Sequence, residues 1–280
     1  MKLIRWGEKG SEKPGVLDGS GVARDLSGHI ADITPETLSD TGLAKIAALD
    51  GLPLVPAGAR LGVPLTGISK IVCVGLNYAD HAAETGQAIP KEPILFLKAI
   101  SALNGPNDDI VIPRGSVKTD WEVELGVVIG RHASYVNESE AMAHVAGYVL
   151  VNDVSEREYQ SERGGQWDKG KGCDSFAPIG PWLVTRDEIA DPQNLKLTTD
   201  VNGVRRQDGS SATMIFGVKK LVSYISHFMT LMPGDIIASG TPPGVALGMK
   251  PPQYLKAGDT LKLSVTGLGE QKARLVAWQR

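Results

Sequence analysis

The sequence predicts an α+β protein built mainly of strands, with a small N-terminal lobe over residues 1–67 and a larger domain over 68–280, and three observations carry this. Apolar runs of strand length far outnumber amphipathic helices. Gly and Pro interrupt the chain at short intervals throughout. The segment LGVPLTG, with Gly62, Pro64 and Gly67, has the composition of a linker ahead of the apolar burst SKIVCVG. A chain of 280 residues exceeds the usual size of one domain, so a small unit attached to a larger one is expected.

Within the lobe, KLIRW, GVLD, VARDL and HIADI read as short strands, and Pro35 to Leu49 as a helix. Beyond residue 68 the strands are IVCVG, ILFLK, DDIVIP, VELGVVIG, VAGYVLVND, APIGPWLVT, LKLTTDVNG, GDIIASG and DTLKLSV. Helices are few: a short one after Asn77, one from Ser139 to His144, and an amphipathic one from Val218 to Leu231 with apolar residues at three- and four-residue intervals.

Apolar residues at 42% and charged residues at 22% place the chain among ordinary globular proteins. With 29 Lys plus Arg against 32 Asp plus Glu, the net charge of -3 gives no footprint for a polyanion, so nucleic acid is not an expected partner. Cys73 and Cys173 lack metal-type spacing and fit reduced thiols of a reducing cytosol. The N-terminus MKLIRWGEKG is broken by Arg5, Glu8 and Lys9, and no apolar run approaches the ~18 residues of a membrane span, so a soluble, cytoplasmic protein is expected.

Several familiar chemistries lack a required residue. Gly165 to Lys171 has phosphate-loop spacing, but Gly172 stands where Ser or Thr should hold magnesium, and the stretch reads as a mobile Gly-rich loop. No G-x-S-x-G, G-x-G-x-x-G or H-E-x-x-H occurs, which disfavours serine hydrolases, dinucleotide enzymes and zincins.

Other residues offer chemistry. In DWEVELGVVI the alternation of a strand puts Glu122 and Glu124 on one face, about 6.6 Å apart along the chain. Two such carboxylates either converge on a cation or form a solvated polar face. Asp153 ends the apolar run Val145 to Val151, where a strand opens into a loop, and three hard oxygen donors without clustered His or Cys point to magnesium, manganese or calcium.

Asn77 can cap a short helix ending at Gly86, which places His81 and Glu84 on one face as a base pair for water or as an ordinary exposed ion pair. Lys171 among glycines can reach a substrate anion or simply be solvated. Thr241, in the stretch TPPGV after IIASG, offers a hydroxyl to an anion or forms a tight turn.

In order, VGLNYADHAAE, DWEVELGVVIG, VNDVSEREYQ, GKGCDSFAPIGP and ASGTPPGV resemble the fumarylacetoacetate hydrolase family from about residue 70 to the C-terminus. The resemblance implies a mixed β-roll catalytic domain and a divalent cation, Mg2+ with Mn2+ or Ca2+ as alternatives, on Glu122, Glu124 and Asp153. It also implies a water-activating His81–Glu84 pair on a lid helix, Lys171 stabilising an enolate, Gln160 and Thr241 holding the keto-acid end, and a homodimer.

Relatives that act on acylpyruvates or oxaloacetate tend to carry an arginine where this chain has Leu76. The stretch GQWDKGKGCDSFAPIGPWLVT resembles the subgroup assigned to 2,4-diketo-3-deoxy sugar acid hydrolysis or to ureidoglycolate lysis. The expected activity is hydrolysis of the C3–C4 bond of a 2,4-diketo acid to pyruvate and a second acid, with Ser161 and Arg163 beside Gln160 as contacts for a hydroxylated tail. Ureidoglycolate lyase, oxaloacetate decarboxylase and a non-catalytic 2-keto acid binder are the alternatives.

Overall fold

The computed structural model describes Met1–Arg280. Its framework is a nine-stranded mixed sheet in the spatial order 23–25, 13–17, 2–6, 183–185, 145–152, 123–129, 236–238, 71–75 and 94–98. The long antiparallel pair Val123–Ile129 and Val145–Asn152 lies at its centre. Every residue of both strands is buried, which explains why they read as continuous apolar runs. A five-stranded sheet, in the order 204–210, 196–201, 260–265, 269–277 and 110–112, packs against this pair. Between the two lies the apolar core.

The N-terminal strands extend the large sheet, because Lys2–Trp6 pairs antiparallel with Leu183–Thr185. Four short α-helices lie around the strands: α1 (Asp40–Ala47), α2 (Ala79–Thr85), α3 (Asp168–Lys171) and α4 (Val218–Ser226). No helix is long and apolar enough to cross a membrane. The predominance of strands and the scarcity of helices match the expectation.

Several segments differ locally from the expected elements. Residues 29–33 are irregular rather than a strand, although Ile33 is buried. The helix expected from Pro35 starts only at Asp40, because the Ser39 hydroxyl accepts the Gly42 N–H at 3.1 Å and caps it there. Ser139–His144 yields a single 3-10 turn over Ala141–His144. The strand Gly269–Ala277 is absent from the expected elements because its core-facing positions include Gln271, buried by three carbonyl acceptors at Leu150, Pro178 and Gly180. Val204–Ser210 is similarly polar and was also missed.

The expected cap at Asn77 is replaced by a tertiary role. Its side chain donates to the carbonyls of Phe216 (3.0 Å) and Ser239 (2.8 Å) and accepts the Phe216 N–H (2.8 Å), so Tyr78 takes the cap position with no side-chain hydrogen bond. Gly86 does end α2 in the left-handed conformation.

Close backbone approach fixes the central sheet. A Cβ on Gly147 would lie 2.1 Å from the Val184 carbonyl oxygen. We therefore expect Gly147→Ala to cost roughly 2–3 kcal/mol and lower Tm by about 4–10 °C by calorimetry. Gly19→Ala, where an added Cβ meets nothing, should stay within about 2 °C. Equal Tm for the two variants would contradict the packing described.

Candidate active site

The central strand pair brings two of the predicted acidic residues to one end of the sheet, and the third follows directly. Glu122 enters the strand that holds Glu124, and Asp153 leaves the neighbouring strand immediately after Asn152. The Asp153 N–H donates to the Glu122 carbonyl at 2.9 Å, which ties the two segments together. One oxygen from each of Glu122, Glu124 and Asp153 lies within 4.8 Å of the others, and all three residues are buried. The solvated-face alternative for Glu122 and Glu124 is thereby set aside.

Three buried cations face these carboxylates. Lys171 Nζ lies 2.7 Å from both Glu122 Oε2 and Asp153 Oδ2. Lys98 Nζ donates to Asp153 Oδ1 at 2.6 Å and to the Val154 carbonyl at 3.0 Å. Arg157 Nη2 lies 2.6 Å from Glu122 Oε1 and 2.8 Å from Asp120 Oδ2. Burial alone would disfavour ionised Glu122, but Lys171 and Arg157 outweigh it and pull that carboxyl down to about 2. Burial likewise opposes the charge on Lys171, yet Asp153 and Glu122 raise it above the usual lysine range.

Glu124 has no cationic partner of its own. Its Oε2 accepts the Gly240 N–H at 2.9 Å. Burial, followed by the charges of Asp153 and Glu122, pushes its carboxyl well above the ordinary range. A buried carboxylate facing two others without a matching cation is the feature a divalent ion satisfies, and three hard oxygen donors at this spacing fit one. The donor set therefore suits a divalent metal.

Lys171 is buried on α3 rather than carried on a mobile loop. Asp168 Oδ1 accepts the Leu97 N–H at 2.9 Å and anchors the turn. Gly170 is required by close packing, since a Cβ there would meet the Glu156 carbonyl at 2.3 Å. Its resemblance to a phosphate loop is a by-product of that contact. Next to it, the Trp167 indole covers Gly75, where a Cβ would fall 2.5 Å from the ring.

The same cavity is lined by α2 through His81 and Thr85. His81 Nδ1 and Glu84 Oε2 are 2.9 Å apart, and Glu84 Oε1 accepts the Gly244 N–H at 3.0 Å. His81, Glu122, Glu124, Gln160, Lys171 and Thr241 all line one cavity of about 150 Å³. Glu84 stands behind His81, and Asp153 lies beneath Lys171.

Two expected contacts differ in detail. Gln160 Oε1 accepts from Arg157 Nη1 at 3.0 Å, leaving the amide nitrogen as its free donor. The Thr241 hydroxyl donates to the Val123 carbonyl (2.9 Å) and accepts from Gln207 Nε2 (2.7 Å), so it cannot donate to an anion as expected. Ser161 lines the cavity, whereas Arg163 does not: it pairs with Glu158 at 2.6 Å and is exposed. Leu76 is on the wall, with a left-handed φ of 51° between the strand Ile71–Gly75 and α2.

Lys98, Arg157 and Asp120 were missed as participants. Lys98 sits in the apolar run ILFLK, where alternation offers no hint that its ammonium turns inward. Arg157 and Asp120 stand inside two of the quoted motifs, and an Asp two residues before a Glu pair was the available signal.

The family described as Fumarylacetoacetate (FAA) hydrolase C-terminal matches residues 70–276. A protein of Burkholderia cenocepacia (strain HI2424), provisionally named a hydrolase with no substrate stated, is 58% identical over 277 residues, covering 98% of each chain. Among solved structures, 2-hydroxyhepta-2,4-diene-1,7-dioate isomerase from Mycobacterium marinum is 33% identical with a TM-score of 0.77, over 100% of both chains. Maleylpyruvate hydrolase from Sphingobium sp. SYK-6 is 29% identical with a TM-score of 0.81, over 99% of this chain and 100% of that one. With its buried carboxylate triad, its facing His–Glu pair and this match over most of its length, the chain belongs to the fumarylacetoacetate hydrolase family.

Proposed function

We propose that the chain hydrolyses the C3–C4 bond of a 2,4-diketo acid, releasing pyruvate and a second carboxylic acid. The observation that carries this is one cavity lined both by His81, hydrogen-bonded to Glu84 at 2.9 Å, and by Glu122 and Glu124 of the three convergent buried carboxylates. The likeness to maleylpyruvate hydrolase supports the same reaction class. Glu122, Glu124 and Asp153 would hold the cation, for which we propose magnesium, with manganese or calcium as the other hard ions suited to oxygen donors. Such an ion supplies Lewis acidity at the 2-keto acid, worth several kcal/mol of charge stabilisation.

The residues of the chain account for the rest. Glu84 holds Nδ1 of His81, leaving Nε2 to take a proton from water. The water oxygen adds to C4, the C3–C4 bond breaks, and its electron pair becomes the pyruvate enolate. His81 then returns the proton to C3, while C4 leaves with the new oxygen as the second acid. Lys171 stabilises the enolate charge, the Gln160 amide donates to the keto-acid carboxylate, and Thr241 acts through its backbone N–H because its hydroxyl is committed.

Charge at the base of the cavity points to a singly charged substrate. With Glu124 ionised by a bound cation, Asp120, Glu122, Glu124 and Asp153 would bring four negative charges against three positive ones on Lys98, Arg157 and Lys171. The two charges of a divalent ion would then leave one positive charge, matched to a monoanion. Leu76 offers no charge to a second carboxylate, and Arg157 is already bound to Asp120, Glu122 and Gln160. A 2,4-diketo-3-deoxy sugar acid fits, its hydroxylated tail lying beside Gln160 and Ser161. The likeness to the Mycobacterium marinum isomerase favours a second reading, in which His81 moves a proton within a 2-hydroxydienoate and no bond to C4 is broken.

In a panel followed by lactate dehydrogenase coupling, kcat/KM for such a sugar acid should exceed that for oxaloacetate at least about tenfold, or roughly 1.4 kcal/mol. Equal turnover of oxaloacetate, faster urea release from ureidoglycolate, or a dienoate absorbance change without pyruvate would each assign a different member activity.

His81→Ala should lower kcat by roughly 10²–10⁴ while sparing binding of oxalate with magnesium. Glu84→Ala should match it, and the double variant should be little slower than either. Losses that add fully would show that the two side chains do not work as one unit.

A further inference from the structure

We propose that Asp120 is a positioning residue that fixes the segment Gly244–Leu247 and through it holds the His81–Glu84 pair over the carboxylates. Asp120 is fully buried and neither binds in the cavity nor belongs to the triad. Its Oδ1 accepts the Ala246 N–H at 2.7 Å and the Trp121 N–H at 2.8 Å. Its Oδ2 accepts the Leu247 N–H at 3.0 Å and Arg157 Nε at 2.8 Å. One carboxylate thus serves a backbone segment on one side and the guanidinium that contacts Glu122 and Gln160 on the other.

The segment is the seat of Glu84. Gly244 donates its N–H to Glu84 Oε1 at 3.0 Å, and its carbonyl accepts the Trp121 indole N–H at 3.1 Å. Gly244 has a φ of +103°, and a Cβ there would lie 1.9 Å from the Arg206 carbonyl, so only glycine can place this N–H. At the far end, the direction of a Gly248 Cβ points into the Glu84 carboxylate, 2.7 Å from Cδ. Glu84 is therefore hydrogen-bonded at Gly244, and the bare Cα of Gly248 leaves room for its carboxylate. Its companion helix α2 has only seven residues and no side-chain cap, so it depends on such tertiary contacts for its place.

The chain of contact runs from Asp120 to the Ala246 and Leu247 amides, along the segment to Gly244, then to Glu84 and His81. The fixed geometry of buried charge-assisted hydrogen bonds makes this an effective way to hold a short helix. The inference rests on the proposed role of His81 and Glu84 for its effect on rate. Its structural part stands independently of any substrate.

The test compares Asp120→Asn with the unaltered full-length protein. Asn keeps one acceptor but turns an amide N–H₂ toward Leu247 N–H and Arg157, which are both donors. Hydrogen exchange should accelerate at least tenfold in residues 79–86 and 244–248, with the strands 123–129 and 145–152 unchanged. On whichever substrate is turned over, kcat should fall about 10- to 100-fold with KM changed less than about threefold. Asp120→Asn combined with Glu84→Ala should be no slower than Glu84→Ala alone.

Trp121→Phe, which removes the indole donor to Gly244 together with part of a fully buried ring, should reproduce the exchange pattern at smaller amplitude and serves if Asp120→Asn does not fold. Unchanged exchange in 79–86, or fully additive rate losses with Glu84→Ala, would overturn the proposal. If no substrate is turned over, the exchange measurement still decides the structural claim, while the hydrolase assignment fails separately.

Discussion

Concentrated negative charge at the end of the central strand pair constrains everything around it. Glu122, Glu124 and Asp153 are buried within 4.8 Å of one another, where Coulomb repulsion is far stronger than in water. A chain that folds this way must supply positive charge from inside. Lys98 and Lys171, each nearly inaccessible to solvent, and Arg157 do so. Removing one partner of such a buried pair typically costs about 3–5 kcal/mol, because the other charge is left stranded.

The helices and glycines near the site follow from that requirement. Lys171 reaches Asp153 and Glu122 only because Gly170 lets α3 press against the 156–160 backbone. Arg157 is long enough to bridge Glu122 and Asp120 at once, and Asp120 in turn captures two amides of the 244–247 segment. The imbalance that remains falls on Glu124, whose carboxyl is pushed up by burial and by its acidic neighbours. A site built to tolerate one unmatched carboxylate is suited to take up a hard cation and an anionic ligand together.

Much of this was legible in the sequence, and the parts that were not have physical reasons. The two central strands announced themselves as uninterrupted apolar runs because both faces are covered. Glu122, Glu124 and Asp153 come together as a cation site through the family resemblance, because the spacing of the two glutamates alone fits a solvated polar face as well. The spacing of His81 and Glu84 gave their pairing directly, since residues three apart on a helix are neighbours.

Lys98 was invisible because a single lysine in ILFLK reads as an outward-facing edge residue, and only the tertiary fold brings its ammonium to Asp153. Asn77 has the sequence signature of a cap, yet buried carbonyls of Phe216 and Ser239 compete for its amide and win. The Thr241 hydroxyl was assigned to substrate for want of any sign that Gln207, thirty-four positions away, would occupy it.

Isothermal titration of oxalate, whose paired oxygens imitate a 2-keto acid, tests the central claim most directly. In protein freed of metal and then saturated with magnesium, the account predicts one oxalate bound per chain. After exhaustive EDTA treatment it predicts no measurable heat of binding, and Glu124→Ala should abolish the response even with magnesium present. Equal oxalate affinity with and without the metal would contradict the claim that Glu122, Glu124 and Asp153 form a cation site serving a keto-acid ligand.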